Sequence, residues 1–439
     1  IEGLLETDLV PELALDLVTR RTDGNPLFIE ELVRSMIDRG ALVPAKNHRW
    51  ELVQGWEEAA IPNTIQGILQ ARIDRLERDV RRVLQLAACI GRQFSVRVLS
   101  EVCEGMEISP ARFTHSIQVL EEASLIQLEV DLPQKEYKFK HNLIRETVYQ
   151  SLLKGTRSQL HGAIAQWYEA NWMDEPEMPY PLLAYHYERT DQVNKQREYF
   201  IRAGYQAARA YDNQDALTFF TKALALITNP LERYELLLER EHVCDLIGAR
   251  DQQRADLDEL IKLAAQGQFD HQIAEAHYRM AIWHEGWGEY SSARAALEQS
   301  LEAARRANER GIEADSLHRL ASVCWRQGHF DEAISTGQAA LQVAQAIADR
   351  SREAISLTTL GVVHRTLGNM EQAGNCYRQA LEIRQVIGDR REIAISLNQM
   401  GNLHYDLGHF TEALNHHRQS LEYFRMVGDR RGEAWSTSG

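Results

Sequence analysis

Sixteen histidines, five cysteines and several adjacent carboxylate pairs are the side chains of this 439-residue chain that could bind metal or move protons. His404, His409, His416 and His417 form the densest histidine group. His404, however, falls with His364 on a core-facing position of a repeating helix. The neighbours His416 and His417 project about 100° apart on a helix, so they do not converge on one ion. No carboxylate or cysteine in register completes a ligand set, and no metal is expected. Glu30-Glu31, Glu57-Glu58 and Glu121-Glu122 diverge in the same way and read as solvated faces rather than acid–base dyads. Cys89, Cys103, Cys244, Cys324 and Cys376 are scattered without a CxxC pair, which argues against a disulfide framework or zinc knuckle and makes a reducing cytoplasm the expected location. There is no GxSxG motif, no GxxxxGK[ST] phosphate loop and no acid-tipped strand to partner one. No catalytic residue is expected, and this segment alone is not expected to be an enzyme or to hold a cofactor.

A second set of side chains is suited to contact rather than reaction. Asn398, Asn402 and Tyr405 lie at i, i+4 and i+7, one face of a helix beside the stripe Leu397, Met400 and Gly401. Forty residues earlier the same positions hold Thr358, Val362 and Arg365, and forty earlier again His318, Ser322 and Trp325. Carboxamides can grip a peptide backbone without reading its sequence, while Trp, Tyr and Arg supply anchors. A partner-binding groove is the reading of this face; a merely solvated inner face is the alternative.

The elements that position these residues are legible from their period. Gly248, Gly288, Gly328, Gly368 and Gly408 recur every 40 residues, followed by Ala293, Ala333, Ala373 and Ala413, and then by Leu301, Leu341, Leu381 and Leu421. Each copy reads as helix, glycine turn, helix. Leu357, Leu360, Gly361 and His364 share one face of a first helix, and Ala373, Tyr377, Ala380 and Leu381 share one face of a second. A lone hairpin of this kind cannot bury its apolar stripe, so the copies must stack. The copy around Gly248 departs from the pattern, with Gln253 where the others carry alanine. The sequence Leu-x2-Leu-Gly-x2-His…Gly-Asn-Met-x2-Ala-x3-Tyr-x2-Ala-Leu resembles the tetratricopeptide repeat in a 40-residue form, against a usual period of about 34. In that family the first helices line the concave, partner-binding side.

The first 175 residues follow a different plan. Helices are expected over 9–39, turning at Thr22-Asp23-Gly24-Asn25-Pro26, with a short strand at Trp50-Glu51-Leu52-Val53 and a helix after Ile61-Pro62-Asn63-Thr64. Three helices then precede strands near Leu125–Leu128 and Tyr137–Phe139, the order of a winged helix. Its third helix, Ser109 to Glu122, sets one Arg against two Glu, a poor surface for phosphates. With a net charge of −15, no direct nucleic-acid partner is expected. The composition, 44% hydrophobic and 26% charged, is that of globular domains, and no apolar run approaches the roughly 18 residues of a membrane span.

Thr22-Asp23-Gly24-Asn25-Pro26-Leu27-Phe28-Ile29-Glu30-Glu31-Leu32 resembles the lid segment of the STAND class of signalling ATPases. So do Ile61-Pro62-x-Thr64-Ile65, Arg72-Ile73-Asp74-Arg75-Leu76, Ala87-Ala88-Cys89-Ile90-Gly91-Arg92-x-Phe94 and Phe139-Lys140-His141-Asn142-Leu143-Ile144-Arg145-Glu146. The resemblance covers about residues 1–225. It implies that Pro26 packs near adenine, and that His141 contacts the ADP β-phosphate, when an ATP- or ADP-holding domain is present in a longer parent. The usual Met-His-Asp is Lys-His-Asn here. A helix-start proline and a capping or core-edge histidine are the alternatives.

The sequence therefore predicts a predominantly all-α chain: a helical lid over 1–60, a winged-helix domain over 61–175 and a tetratricopeptide-repeat α-solenoid over 176–439. Both ends fall inside periodic patterns, so a segment of a longer protein is expected. The resemblance implies the regulatory portion of a signalling ATPase, binding a protein or peptide and controlling an upstream nucleotide domain, with oligomerisation of the parent. A free-standing scaffold and part of a transcription regulator stay open as alternatives.

Overall fold

The computed structural model describes residue 5 and residues 10–45, 49–53, 62–131, 135–172 and 178–438. Glu57, Glu58 and Ile61 lie outside the described residues. Among those described there are 22 helices and five short strands, divided between two compact units, 1–206 and 207–439.

The first unit opens with α1 (Glu12–Thr22) and α2 (Pro26–Asp38). Their junction is built by Asn25, whose side-chain oxygen accepts from the amides of Leu27 (3.1 Å) and Phe28 (3.2 Å), with Pro26 at the first helical position where no amide is needed. Strands β1 (Leu42–Pro44) and β2 (Trp50–Leu52) pair antiparallel, and Leu17, Val18, Leu32, Val33, Met36 and Leu42 bury a small core with Ile68. Next come α3 (Ile65–Arg75), α4 (Arg78–Ile90), β3 (Gln93–Ser95), α5 (Val96–Gly105), α6 (Pro110–Glu122), β4 (Ile126–Val130), β5 (Glu136–Phe139) and α7 (Asn142–Ser151). The sheet is antiparallel in the order β3-β5-β4. Its inner face sets Phe94 edge-on to Phe139 at 5.7 Å, and Leu84, Ala87, Leu99, Phe139, Ile144 and Val148 are buried together in this unit.

Helices α8 (Lys154–Asn171), α9 (Tyr180–Tyr187) and α10 (Val193–Arg209) follow. Between them His161 and His186 are fully buried, Nδ1 to Nδ1 at 2.9 Å, and the Tyr149 hydroxyl lies 3.0 Å from His161 Nε2. Burial first, and then Arg189 and Arg157, push His161 down to about 4. Burial, then His161 and Arg189, push His186 down to about 3. Both rings are neutral at pH 7.

The second unit is a stack of hairpins. It runs through α11 (Asn213–Leu224), α12 (Pro230–Ile247), α13 (Arg250–Gly267), α14 (Asp270–Gly286), α15 (Tyr290–Ala307), α16 (Arg310–Arg326), α17 (Phe330–Ala346), α18 (Arg350–Thr366), α19 (Met370–Ile387), α20 (Arg390–Asp406), α21 (Phe410–Val427) and α22 (Arg430–Ser438). First helices begin at residues 310, 350, 390 and 430, so the period of 40 read from the sequence is also the period of the structure. The turn glycines at 248, 288, 328, 368 and 408 all take left-handed φ between 71° and 80°, a conformation that costs a side-chain-bearing residue about 1–2 kcal/mol.

In two hairpins a glycine on the first helix makes room for a ring on the second. A Cβ on Gly361 would lie 2.5 Å from the Tyr377 ring, and one on Gly401 would lie 2.7 Å from the His417 imidazole. Where the first helix carries alanine instead, at Ala281 and Ala321, the residue 16 positions on is the smaller Leu297 or Gly337, and a Cβ on Gly337 would meet Leu360 of the next copy at 2.8 Å.

Candidate functional site

Four first helices, α16, α18, α20 and α22, together enclose a cavity of about 390 Å³ in the second unit. Its walls are Ser322, Trp325 and Arg326 from α16, Thr358, Thr359, Val362, Val363 and Arg365 from α18, Gln399 and Asn402 from α20, and Trp435 from α22. Every lining residue comes from the first helix of its copy. The stacking that buries the apolar stripes thus also aligns this face.

Two of the larger side chains are held by the copy that follows. Trp325 Nε1 donates to Thr366 Oγ1 at 2.9 Å, and Arg365 Nη1 donates to Asp406 Oδ2 at 2.8 Å, both across a step of 41 residues. The Arg326 guanidinium sits 5.4 Å from the centre of the Trp325 ring, within cation–π range. The Thr358 and Thr359 hydroxyls donate to the Ala354 and Ile355 carbonyls, at 2.8 and 3.2 Å, which leaves their oxygens as acceptors toward the cavity. The carboxamides of Gln399 and Asn402 bring donors and acceptors together on α20. The cavity offers aromatic surface, fixed cations and amides, with no nucleophile beside a base.

Of the seven groove residues expected from the sequence, Trp325, Thr358, Arg365 and Asn402 are brought together here. The other three lie elsewhere. Asn398 is buried, with only 1% of its surface exposed, and its Oδ1 lies 2.7 Å from His417 Nδ1, so its amide faces the hairpin interior and not the groove. The reason is local: Gly401 leaves room for His417, and the ring then needs a polar partner. Tyr405 packs edge-on against Phe410 at 5.6 Å and lines a separate, largely apolar cavity of about 440 Å³ with Leu414, His417 and Leu421. His318 is half-buried outside the cavity lining, and burial, then Arg319, push it down to about 4 against the opposing pull of Asp315. Arg326, Thr359, Val363, Gln399 and Trp435 line it without having been among the expected positions. Thr359 and Gln399 sit one position past Thr358 and Asn398, forty residues apart, so the repeat register held the signal. A groove walled by adjacent helices takes in that flank as well.

In the first unit, Pro26 stands at the start of α2, and one turn on its Glu30 carboxylate meets Lys140 Nζ. His141 Nε2 lies 3.9 Å from the same carboxylate and is buried without a hydrogen-bond partner. Burial raises the Glu30 carboxyl, but Lys140 and Arg34 outweigh it and hold it below the ordinary carboxylate range. His141 occupies the cap position of α7 by backbone, yet its side chain makes no capping bond. Glu31 pairs with Arg72 in a nearly dry setting, and Arg72 also donates to the Ala123 carbonyl at 2.6 Å. The solvated-face reading of Glu30-Glu31 is therefore corrected: the two carboxylates do diverge, but each is spent on a cation from another segment. For the histidine-rich hairpin, the His404 and His416 rings stack at 5.2 Å, and among the described residues no group of three or more His, Cys, Asp or Glu is arranged to hold a metal ion. No helix among them is long and apolar enough to cross a membrane.

Comparison with known proteins places the repeats. A tetratricopeptide-repeat family model matches residues 272–346, 312–385 and 352–426. An uncharacterised protein of Rhizobium meliloti is 26% identical over 227 residues, 50% of this chain and 20% of that protein, so the chain spans a minor part of the curated relative it matches. Among solved structures, a Signal Transduction ATPase with Numerous Domains (STAND) protein with a tetratricopeptide repeat sensor, from Pyrococcus horikoshii, aligns with 98% of this chain and 62% of its own, at 13% identity and a TM-score of 0.40. Aspartyl phosphate phosphatase F from Bacillus subtilis aligns with 68% of this chain and 86% of its own, at 12% identity and a TM-score of 0.45. A Rap protein complexed with competence and sporulation factor aligns with 64% and 91%, at 13% identity and a TM-score of 0.40. Residues 272–426 are tetratricopeptide repeats, and the chain that carries them is predominantly α-helical with a repeat solenoid in its second unit.

Proposed function

We propose that this chain is the regulatory, partner-sensing portion of a STAND-type signalling ATPase, and that its repeats bind a protein or peptide segment in the cavity walled by α16, α18, α20 and α22. The observation that carries the binding half is that one helix from each of four successive repeats contributes to a single cavity. That cavity combines two tryptophans, two arginines and two free-ended carboxamides. Such a surface suits an extended segment, with its backbone on Gln399, Asn402 and the threonine oxygens and a side chain against Trp325 and Trp435.

The switching half rests on the ordered motifs of the first unit and on the meeting of Glu30, Lys140 and His141. An ADP phosphate would need donors, and the orphaned His141 nitrogen and the Lys140 ammonium are donors of the right kind. Glu30 now pairs with the Lys140 ammonium, so a phosphate would have to compete with that carboxylate. The nucleotide and its phosphate chemistry would belong to a domain outside this segment. A partner then acts by binding one state of the parent better than the other.

The test is ADP release from the parent protein with and without a peptide bound in the cavity. A change of fivefold or more is expected. Tight binding with unaltered release would instead leave a scaffold with no switch.

A further inference from the structure

The hairpin of α12 and α13 breaks the packing rule that the later copies keep. At the four positions where α14–α15 carry Met280, Ala281, Ala293 and Ala296, and α16–α17 carry Leu320, Ala321, Ala333 and Thr336, this hairpin carries Arg240, Glu241, Gln253 and Asp256. All four are buried, Asp256 to 1% exposure. They pair two by two across the hairpin. Arg240 grips Asp256 with two bonds, at 3.0 and 2.6 Å, and reaches Thr221 on α11 at 3.1 Å. Gln253 Nε2 donates to Glu241 Oε1 at 2.7 Å, and Arg279 on α14 donates to the other Glu241 oxygen at 2.9 Å.

We infer that α12–α13 is the joint of the repeat array, the hairpin at which the solenoid opens locally while the copies from α14 onward stay closed. Two independent observations support it. The first is energetic. A buried ion pair roughly breaks even against its own desolvation, so opening this layer returns charges to water at little cost, whereas opening a Leu/Ala layer exposes apolar surface. The second is geometric. Helices α12 and α13 pack less closely on each other than the two helices of every later hairpin, and α13 packs less closely on α14 than α15 on α16, α17 on α18 or α19 on α20. The hairpin also leaves Leu246, Ile247 and, at its end, Phe269 exposed. Beyond the pairs within the hairpin, its members also reach Thr221 on α11 and Arg279 on α14, so the polar layer fixes register when closed. In sequence the joint lies ahead of all the helices that wall the cavity, so the cavity-bearing copies would move as one block when it opens.

Hydrogen exchange followed by mass spectrometry on the full chain decides the matter. Amides over 240–260 should exchange roughly tenfold or more faster than those over 320–340, the equivalent stretch two copies later. Equal or greater protection over 240–260 overturns the inference without any variant. Replacing the layer by the residues of the later copies, Arg240→Leu with Glu241→Ala, Gln253→Ala and Asp256→Ala, should slow exchange over 240–260 to the level of 320–340. Arg279 keeps Glu275 as a partner in that variant. Faster exchange there, in a chain whose helical circular dichroism is intact, would also overturn it. Asp256→Asn, which leaves Arg240 half-paired, should speed exchange over 240–260 and leave 320–340 unchanged.

Discussion

The buried imidazoles of His161 and His186 tie the first unit to pH. Their folded values, about 4 and about 3, lie well below the ordinary 6.5 of histidine. As pH falls below 6.5 the unfolded chain takes up protons that the folded chain refuses, so stability present at neutral pH is lost progressively toward pH 4. The urea midpoint of the first unit should fall across that window, and His186→Leu should flatten the slope; an unchanged slope would contradict this account. Residue identity alone did not reveal the pair, because 25 residues separate the two rings and only the packing of α8 on α9 joins them. Asn398 shows the same limit. Its spacing matched Asn402, and what removed it from the groove was His417, a residue of the facing helix. Trp325, Arg365 and Asn402 were legible because each side chain's direction follows from the helix period alone.

At the scale of elements, the glycine–ring pairs Gly361–Tyr377 and Gly401–His417 set how closely the two helices of their hairpins approach. Gly361→Ala gains about 1 kcal/mol of helix propensity but drives a methyl into the Tyr377 ring. The clash wins, because overpacking costs up to about 3 kcal/mol, and the α18–α19 hairpin should lose about 1–2 kcal/mol in local hydrogen-exchange stability. Adding Tyr377→Leu recreates the Ala281–Leu297 pairing and should restore much of the loss; no recovery would show that the pair is not the determinant. The helices themselves were legible, since period, turn glycines and caps are local signals. Strands β1 and β3 were not, because each exists through pairing with another segment, Trp50–Leu52 for one and Glu136–Lys138 for the other. The loss of alanine at Gln253 was visible in the sequence, but its cause was not, since Arg240, Asp256 and Arg279 come from three different helices.

At the scale of the molecule, a helical unit with two small sheets precedes a stack of repeats, and the arrangement of the stack follows from its need to bury what a single hairpin cannot. The same stacking aligns α16, α18, α20 and α22 into one cavity, and this makes binding, rather than catalysis, the central claim for the second unit. The most direct test is to select a peptide from a random display library against the whole chain and titrate it by calorimetry. The account predicts one site per chain, with affinity at least tenfold weaker after Trp325→Ala or Asn402→Ala and unchanged after Arg418→Ala, which touches only the separate apolar cavity. A selection that yields no binder, or a binder indifferent to Trp325 and Asn402, would contradict it.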